Sequence, residues 1–507
     1  MTQELSYMLS SGAIRKLISD KVVKLKGTDI KAKSARAVMA LGAGTFAGRS
    51  MRFIRSMILA RILAPNQIGI MAIVMSLSMG FEALTEVGVK QSIIQNKQGA
   101  NDRYLNVAWW MQVTRALCLY GIATLLAPWI SSFYDNPELL KLLRVAFIAI
   151  ALRGFVSPRA AVLEKEYKFG RVVLLIQGSA VLGAIISIAM ALVMRNVWAL
   201  VIGFVIEMAI LCILSFILVP FVPRFEIDRS SLVELMKFAR GMFGLPILTA
   251  VSFYAPILIL GKVISEDQLG LYHLAALLSS VPIDLYIRTI APVVLPAFSE
   301  KQDDKSALSR GVLRTTQWTA FVVIPLAAFM ACCSSGLLLL AYGSKYVAMA
   351  IPFAVLCLQV VVRNQTVSLT GIYLAIGQPH LQRRFAIIRT VAIIGLMYPA
   401  AVRFGPIGAA VVIVLSNFIV LLMQVIKARK VIGLNIGSYV RSYSYGLWMA
   451  LPIMITAGLL RVFRVDSTLI VLAISTLVFI ATFAVSLLIM NRPKNSANAK
   501  QSENKLR

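Results

Sequence analysis

The 507-residue chain is 59% hydrophobic, has a mean hydropathy of +0.81 and carries a formal net charge of +29. A bilayer core of about 30 Å takes roughly 20 apolar residues per helix, and residues 36 to 491 hold about fourteen such stretches, which leaves no room for a soluble catalytic domain. The basic excess is spread over short connections and not gathered on one soluble face, so nucleic acid is not an expected partner.

The fold class expected is an all-α integral membrane protein. Residues 1–35 form a basic segment in which Leu5–Leu25 is mildly amphipathic, with Leu9, Leu17 and Val22 against Arg15, Lys16 and Lys24. Two readings of it stand: a helix lying on an anionic inner leaflet, or a disordered basic tail. No apolar core precedes residue 36, so no cleavable signal is expected. Spans begin near residues 36, 67, 105, 142, 171 and 196 within 36–222, then near 238, 269, 315, 347, 385 and 405 within 223–432. Two more begin near 442 and 467 within 433–491, and residues 492–507 form a basic tail. Several spans are interrupted, at Gly241–Pro246, Pro282 and Pro352 among others, which membrane helices tolerate because neighbouring groups re-satisfy the freed backbone.

Charge in the connections sets the orientation. Those after even-numbered spans hold 22 basic residues, including Lys90, Arg159, Arg224, Lys301 and the group Arg383, Arg384 and Arg389 after the tenth span. Those after odd-numbered spans hold eight. Lysine and arginine accumulate on the cytoplasmic side, so both termini are expected there and the number of spans is even.

Five cysteines fall in apolar spans without CxxC spacing, and the two histidines, His273 and His380, are far apart. They read as packing residues, with no metal site and no cofactor expected. The chain has no Walker sequence, nucleophile elbow or HExxH pattern. No catalytic residue is assigned, and ATP hydrolysis by this chain is excluded as a driving force.

Eight arginines and no lysine lie inside the spans: Arg49, Arg52, Arg55, Arg115, Arg144, Arg153, Arg288 and Arg363. An ionised side chain at bilayer depth costs at least about 2.5–3.5 kcal/mol on insertion scales, so it faces a partner or a wet cavity. Only four acids share those spans, namely Glu82, Glu86, Glu207 and Asp284. The surplus positive charge points to an anionic substrate. Arg49, Arg52 and Arg55 follow i, i+3, i+6 spacing over about 120° of one helix, where like charges repel unless an anion or acid lies close. The bland reading has Glu82 and Glu86 neutralising two of these arginines, Arg144 snorkelling outward and Arg153 inward. A carboxylate in a partly dry cavity also has a second use, carrying a coupling H⁺ or Na⁺. Glu86 and Asp284 are the candidates for it, beside Glu82 for charge balance.

An internal repeat appears at an offset of 201. Arg61-Ile-Leu-Ala-Pro-Asn-Gln67-Ile-Gly69-Ile70 matches Lys262-Val-Ile-Ser-Glu-Asp-Gln268-Leu-Gly270-Leu271, and Arg153 echoes Arg363 more weakly. Both copies start on the same side, so the repeat is parallel. Two pseudo-symmetric six-helix lobes with the substrate site between them, plus two C-terminal helices, is the architecture this implies.

The stretch Ile58-Leu-Ala-Arg-Ile-Leu-Ala-Pro-Asn-Gln-Ile-Gly69, with Gly88-Val-Lys-Gln-Ser-Ile-Ile-Gln95, resembles the Wzx-type polysaccharide exporters of the MOP superfamily. So do Phe155-Val-Ser-Pro-Arg159, Leu163-Glu-Lys-Glu-Tyr-Lys-Phe-Gly-Arg171 and Ile376-Gly-Gln-Pro-His-Leu-Gln-Arg-Arg384. The segment Gly48-Arg49-Ser-Met-Arg52-Phe-Ile-Arg55-Ser56 is similar to the first helix of the lipid II flippases. Arg49 and Arg55 match two arginines there, and Ser56 stands where that helix has Asp. The resemblance implies a fourteen-helix fold that moves undecaprenyl-pyrophosphate-linked oligosaccharides across the bacterial inner membrane. It further implies work beside membrane lipids, a polysaccharide polymerase and an initiating transferase, and a monomeric state is expected.

Guanidinium suits a pyrophosphate head, because it stays ionised and binds phosphate oxygens in a bidentate fork. The substrate-binding set expected is Arg49, Arg52, Arg55, Arg153, Arg288 and Arg363, lining a cavity with alternating access. Trp109, Trp110 and Tyr254 are candidate sugar contacts, with interfacial anchoring or core packing as the alternative. A MATE-like cation-coupled drug antiporter would share the repeat but needs an anionic cavity. A lipid-linked glycosyltransferase or polymerase would show a large loop on the non-cytoplasmic side.

Overall fold

A computed structural model describes residues 30–490, apart from 85–87, 167, 226–227, 243, 290–293, 295–297 and 464–466. The amphipathic stretch Leu5–Leu25 and Glu86 lie outside the described residues. Every regular element among those described is helical. The first half of the chain supplies α1 (Ile30–Ile62), α2 (Pro65–Leu84), α3 (Val89–Gln95), α4 (Asp102–Phe133), α5 (Pro137–Ala146) and α6 (Ile148–Gly154). It continues with α7 (Arg159–Lys165), α8 (Phe169–Met194) and α9 (Val197–Leu218). The second half supplies α10 (Arg229–Met242), α11 (Leu245–Val263), α12 (Glu266–Thr289), α13 (Lys305–Cys332), α14 (Ser334–Tyr342) and α15 (Ala350–Ala375). After them come α16 (Pro379–Ile432), α17 (Ile436–Arg441), α18 (Ser444–Val462) and α19 (Thr468–Met490).

Local chemistry sets where these helices begin. The side chain of Asn101 accepts from the Arg103 N–H at the start of α4, and Asn136 accepts from Glu138 and Leu139 at the start of α5. Asp304 accepts from Ala307 at the start of α13. Each cap satisfies an N–H that has no partner within its own helix. Proline opens α2, α5 and α16, where its missing N–H costs nothing. Inside the bundle, the hydroxyls of Ser78, Thr366, Thr390 and Ser416 donate to the carbonyl four residues earlier, which satisfies them away from water.

The α16 helix runs for 54 residues, which at about 1.5 Å per residue far exceeds one bilayer crossing. It breaks at Gly405, with φ 56° and ψ −137°, a conformation that needs glycine. A Cβ on Gly408 would lie 2.2 Å from the Ala400 carbonyl oxygen, so the chain doubles back at this point. Among the described residues, nine helical segments are long and apolar enough to cross a membrane. The outward faces bear large apolar side chains such as Leu125, 78% exposed, and Trp448, 72% exposed. With the backbone bonded inside helices, these faces suit lipid. The chain is a multi-pass membrane protein.

Three apolar cores show how the helices are tied. The largest joins both halves of the chain, with Leu59, Ile70, Phe147 and Val201 packed in one cluster with Leu260, Leu269, Phe353 and Met397. It lies at the end where α1 turns into α2 and α11 turns into α12. At the opposite end the halves have separate cores. One is built on Val89, Ile93, Leu105, Trp109 and Phe221, the other on Leu308, Leu369, Tyr373, Phe385 and Val425. α10 belongs by packing to the first of these, through Leu235.

The shared end is also stitched by polar contacts between the halves. The Asn66 N–H donates to Asp267 Oδ1 at 3.0 Å, and Asn136 Nδ2 donates to Glu266 Oε1 at 2.6 Å. Lys262 pairs with Asp135 at 2.6 Å, and the Tyr134 hydroxyl donates to the Leu258 carbonyl at 2.9 Å. Asn66 and Asp267 belong to the two copies of the sequence repeat. The repeat motifs therefore meet face to face.

Candidate functional site

The polar interior begins on α1. Gly44 and Gly48 lie tight against Val173 and Gln177 of α8, which fixes the rotation of α1 about its axis. Arg49 and Arg55, six residues apart on that helix, consequently point to different neighbours. The Arg49 Nη1 donates to Asp284 Oδ2 of α12 at 2.8 Å, joining the two halves of the chain. The Arg55 Nη1 donates to Glu207 Oε2 of α9 at 2.7 Å, within the first half. The second pair is the drier, with side chains 20% and 10% exposed against 34% and 33% for the first. Arg52, between them, is partly buried.

A third pair links α6 to α2, Arg153 Nε donating to Glu82 Oε1 at 2.7 Å. Tyr254 of α11 sits within electrostatic reach of both members and packs against Gly80. Trp109 and Trp110 are structural instead: Trp109 donates to the Phe155 carbonyl, Trp110 to the Arg224 carbonyl, and Trp109 is buried in the first-half core. Arg144 is exposed on α5 and Arg115 is partly buried on α4. Arg288 lies near the end of α12.

Asp284 serves more than one cation. Arg363, midway along α15, lies within electrostatic reach of it. Arg389 of α16 lies within reach of Arg363 in turn. The Arg389 Nε is buried and has no hydrogen-bond partner. Next to Arg363, Asn364 is fully buried with both amide atoms unpaired, and Gln365 has an unpaired Oε1. The hydroxyl of Thr390, the residue after Arg389, shares its proton between the Ala386 and Leu248 carbonyls and hydrogen-bonds the Ser252 hydroxyl at 2.7 Å, pinning α16 to α11 at this level.

The structure thus brings Arg49, Arg363 and Asp284 together, pairs Arg153 with Glu82, and gives Arg55 to Glu207. Sequence reasoning missed two participants. Glu207 stood out as an intramembrane acid but not as the partner of Arg55. Arg389 reads as a connection residue because it follows Arg383 and Arg384, yet it is ten residues into α16, about 15 Å from the helix start. That depth was the available signal. Among the described residues no cluster of three or more His, Cys, Asp or Glu could hold a metal ion, and the five cysteines are free.

Chemically, Arg49, Arg55 and Arg153 are each held by a carboxylate on another helix. Such pairs are exchangeable, because an incoming phosphate offers guanidinium the same bidentate geometry as a carboxylate.

Comparison with known proteins places this arrangement. The chain is similar to the succinoglycan biosynthesis transport protein ExoT of Rhizobium meliloti (strain 1021), with 21% identity over 369 residues covering 73% of each chain. It is also similar to the lipopolysaccharide biosynthesis protein WzxC of Escherichia coli (strain K12), with 22% identity over 77% of this chain and 79% of the relative. The solved structure of the lipid II flippase MurJ in an inward closed conformation superposes with a TM-score of 0.74 over 90% of this chain and 99% of that one. At 15% identity that likeness establishes the fold. The profile of the polysaccharide biosynthesis protein family matches residues 58–351, more than half of the sequence, and the chain belongs to that family.

Proposed function

We propose that the protein is a flippase for undecaprenyl-pyrophosphate-linked oligosaccharides in the bacterial inner membrane. Two six-helix lobes, residues 36–222 and 223–432, rock about the end where they share a core, and residues 433–491 add two crossings. Counting the hairpin α16 twice and adding α1, α2, the broken pair α5–α6 and α12 to the remaining apolar segments supports fourteen crossings. An even number, with the basic connections cytoplasmic, puts both termini in the cytoplasm and the shared core on the outer side.

The observation that carries the reading is the Arg49–Asp284 pair. It links the two halves of the chain beyond the shared core, among the interior arginines. A bare pyrophosphate pays a very large desolvation cost inside a bilayer. Here its oxygens replace carboxylates on arginines that are already in place, so the pyrophosphate itself is not left unpaired. The prenyl tail stays in lipid through a lateral opening between α1–α2 and α11–α12, where α1 exposes Phe46 and Ile54. The relatives carry names that speak of succinoglycan transport, lipopolysaccharide biosynthesis and lipid II flipping, and all three fit a lipid-linked sugar as cargo.

The test is transbilayer movement. Purified protein in liposomes holding a fluorescent undecaprenyl-pyrophosphate oligosaccharide is challenged with a membrane-impermeant quencher. Wild-type protein moves label to the quenchable leaflet, and Arg49→Ala slows that movement while the protein stays folded. No movement under an H⁺ or Na⁺ gradient, together with efflux of an organic cation, would replace the flippase by an antiporter.

A further inference from the structure

We propose that Arg363 and Arg389 form a separate oxyanion subsite in the second half of the chain, and that this pair, rather than the arginines of α1, is the first receptor of the anionic cargo. The inference rests on the flippase reading and says where in the interior the negative charge lands.

The argument is one of charge already spent. Arg49, Arg55 and Arg153 each hold a carboxylate at 2.7–2.8 Å. An arriving anion must displace those acids before it gains anything from these arginines. Arg363 and Arg389 make no ion pair with any described residue, and the acid nearest in influence, Asp284, is bonded to Arg49. Two neighbouring guanidinium groups on packed helices repel each other. The buried Arg389 Nε is left without an acceptor, as the Arg49 Nε is, but among the described residues Arg389 has no carboxylate on its other nitrogens to offset this, in a protein interior where such donors are rarely unpaired. One multiply charged oxyanion relieves both penalties at once, and it has enough oxygens for two planar forks. The Thr390 contacts to α11 hold the Arg389 backbone in place, so the subsite is preformed on the second half. Binding there also places the anion beside Asp284, where it competes for Arg49 and loosens the bond between the halves.

Two sources offer this chemistry, the pyrophosphate of a prenyl carrier and the acidic sugars of a glycan. The full-length protein in neutral-lipid nanodiscs is titrated with geranylgeranyl pyrophosphate, geranylgeraniol and tetragalacturonate, as wild type, Arg389→Gln, Arg389→Lys and Arg363→Gln, with Arg144→Gln as control. Geranylgeranyl pyrophosphate is expected to bind wild type and the control alike, and about tenfold or more weakly to both glutamine variants. Arg389→Lys is expected to recover part of the loss, and geranylgeraniol to distinguish none of them. The ligand-free Arg389→Gln protein is expected to melt no lower than wild type, since one of two repelling charges is gone, and to lose the thermal shift given by pyrophosphate.

Arginine-dependent binding of tetragalacturonate alone would keep the subsite and assign it to the glycan. Unchanged pyrophosphate and tetragalacturonate binding in Arg389→Gln would overturn the proposal, as would a wild type that binds neither anion. A lowered melting temperature with unchanged binding would give Arg389 a structural role and overturn it as well. The liposome assay separates the two levels. Arg389-dependent binding without transbilayer movement removes the flippase and keeps the subsite, whereas undiminished movement by Arg389→Gln removes the subsite and keeps the flippase.

Discussion

Gly69 and Gly270, 201 residues apart, lie against each other's helices with reciprocal geometry. A methyl group on Gly69 would stand 2.0 Å from the Glu266 carbonyl oxygen, and one on Gly270 would stand 1.9 Å from the Pro65 carbonyl oxygen. Each glycine thus meets the residue four positions before the other. Small residues that let membrane helices approach this closely replace the hydrophobic drive that lipid cannot supply. The contact sits at the end where the two halves share a core, and it is where they are held shut.

Gly69→Ala and Gly270→Ala should therefore each push α2 and α12 apart. The obstacle is backbone, so neither helix can relieve it by a rotamer change. The expected cost is about 1–3 kcal/mol, the usual range for overpacking, read as a lower melting temperature in detergent. Transport should fall in both variants alike, since the geometry is reciprocal. A variant that melts and transports like wild type would show that this contact is not what closes the end.

Glu207 should be the interior acid that matters most for folding. Its pair with Arg55 is the least exposed of the arginine–carboxylate pairs. Glu207→Gln strands a guanidinium in a dry setting, which costs about 3 kcal/mol or more. Removing both charges, as Arg55→Met with Glu207→Leu, should recover most of that stability but not transport. Thermal unfolding of the single and double variants checks the first half of this statement, and the quencher assay the second.

Asp284 should behave in the opposite way. Its pair with Arg49 is about one-third exposed on both sides and is screened accordingly, so Asp284→Asn should cost no more than about 1 kcal/mol. Because the pair joins the halves, its loss should change the transport rate more than the melting temperature. A large fall in stability with an unaltered rate would contradict this.

The link between the halves carries a pH signature. The side chain of Asp228 accepts from the hydroxyls of Ser230 and Ser231 and from the Ser231 N–H at the start of α10, and these bonds hold its carboxyl well below the usual carboxylate range. A carboxylate with a lowered folded value stabilises fully above its unfolded value of about 3.9 and loses that contribution as pH falls through the folded one. Hydrogen exchange at the first turn of α10 should then be insensitive to the carboxyl from neutral pH down to about 4 and speed up below it. In Asp228→Ala that acid-dependent step should vanish, because no titrating group remains at the cap.

Much of this was legible in the residues alone. Lipid requires uninterrupted apolar stretches and penalises charge, so hydropathy locates crossing segments such as Phe169–Met194, and an isolated interior arginine such as Arg49 or Arg55 is conspicuous. The repeat was visible because both copies solve the same close-packing problem, at Gly69 and at Gly270. Arg389 was obscured by its company, since two genuine connection arginines precede it. Glu82 lies on the span after α1, yet it also pairs with Arg153 of α6, a contact that sequence proximity gives no hint of because it depends on helix rotation.

The sequence by itself thus determined that this is a basic membrane protein with an internal repeat and more arginines than acids in its spans. Those properties follow from composition, period and charge sign, which survive any arrangement of the helices. Only the tertiary structure decided which acid answers which arginine, since the Arg49–Asp284 and Arg55–Glu207 pairs join residues 235 and 152 positions apart. Such pairings depend on the azimuth and depth of each helix, set by glycine contacts and by the Gly405 hairpin. These are properties of packing, and no local pattern encodes them.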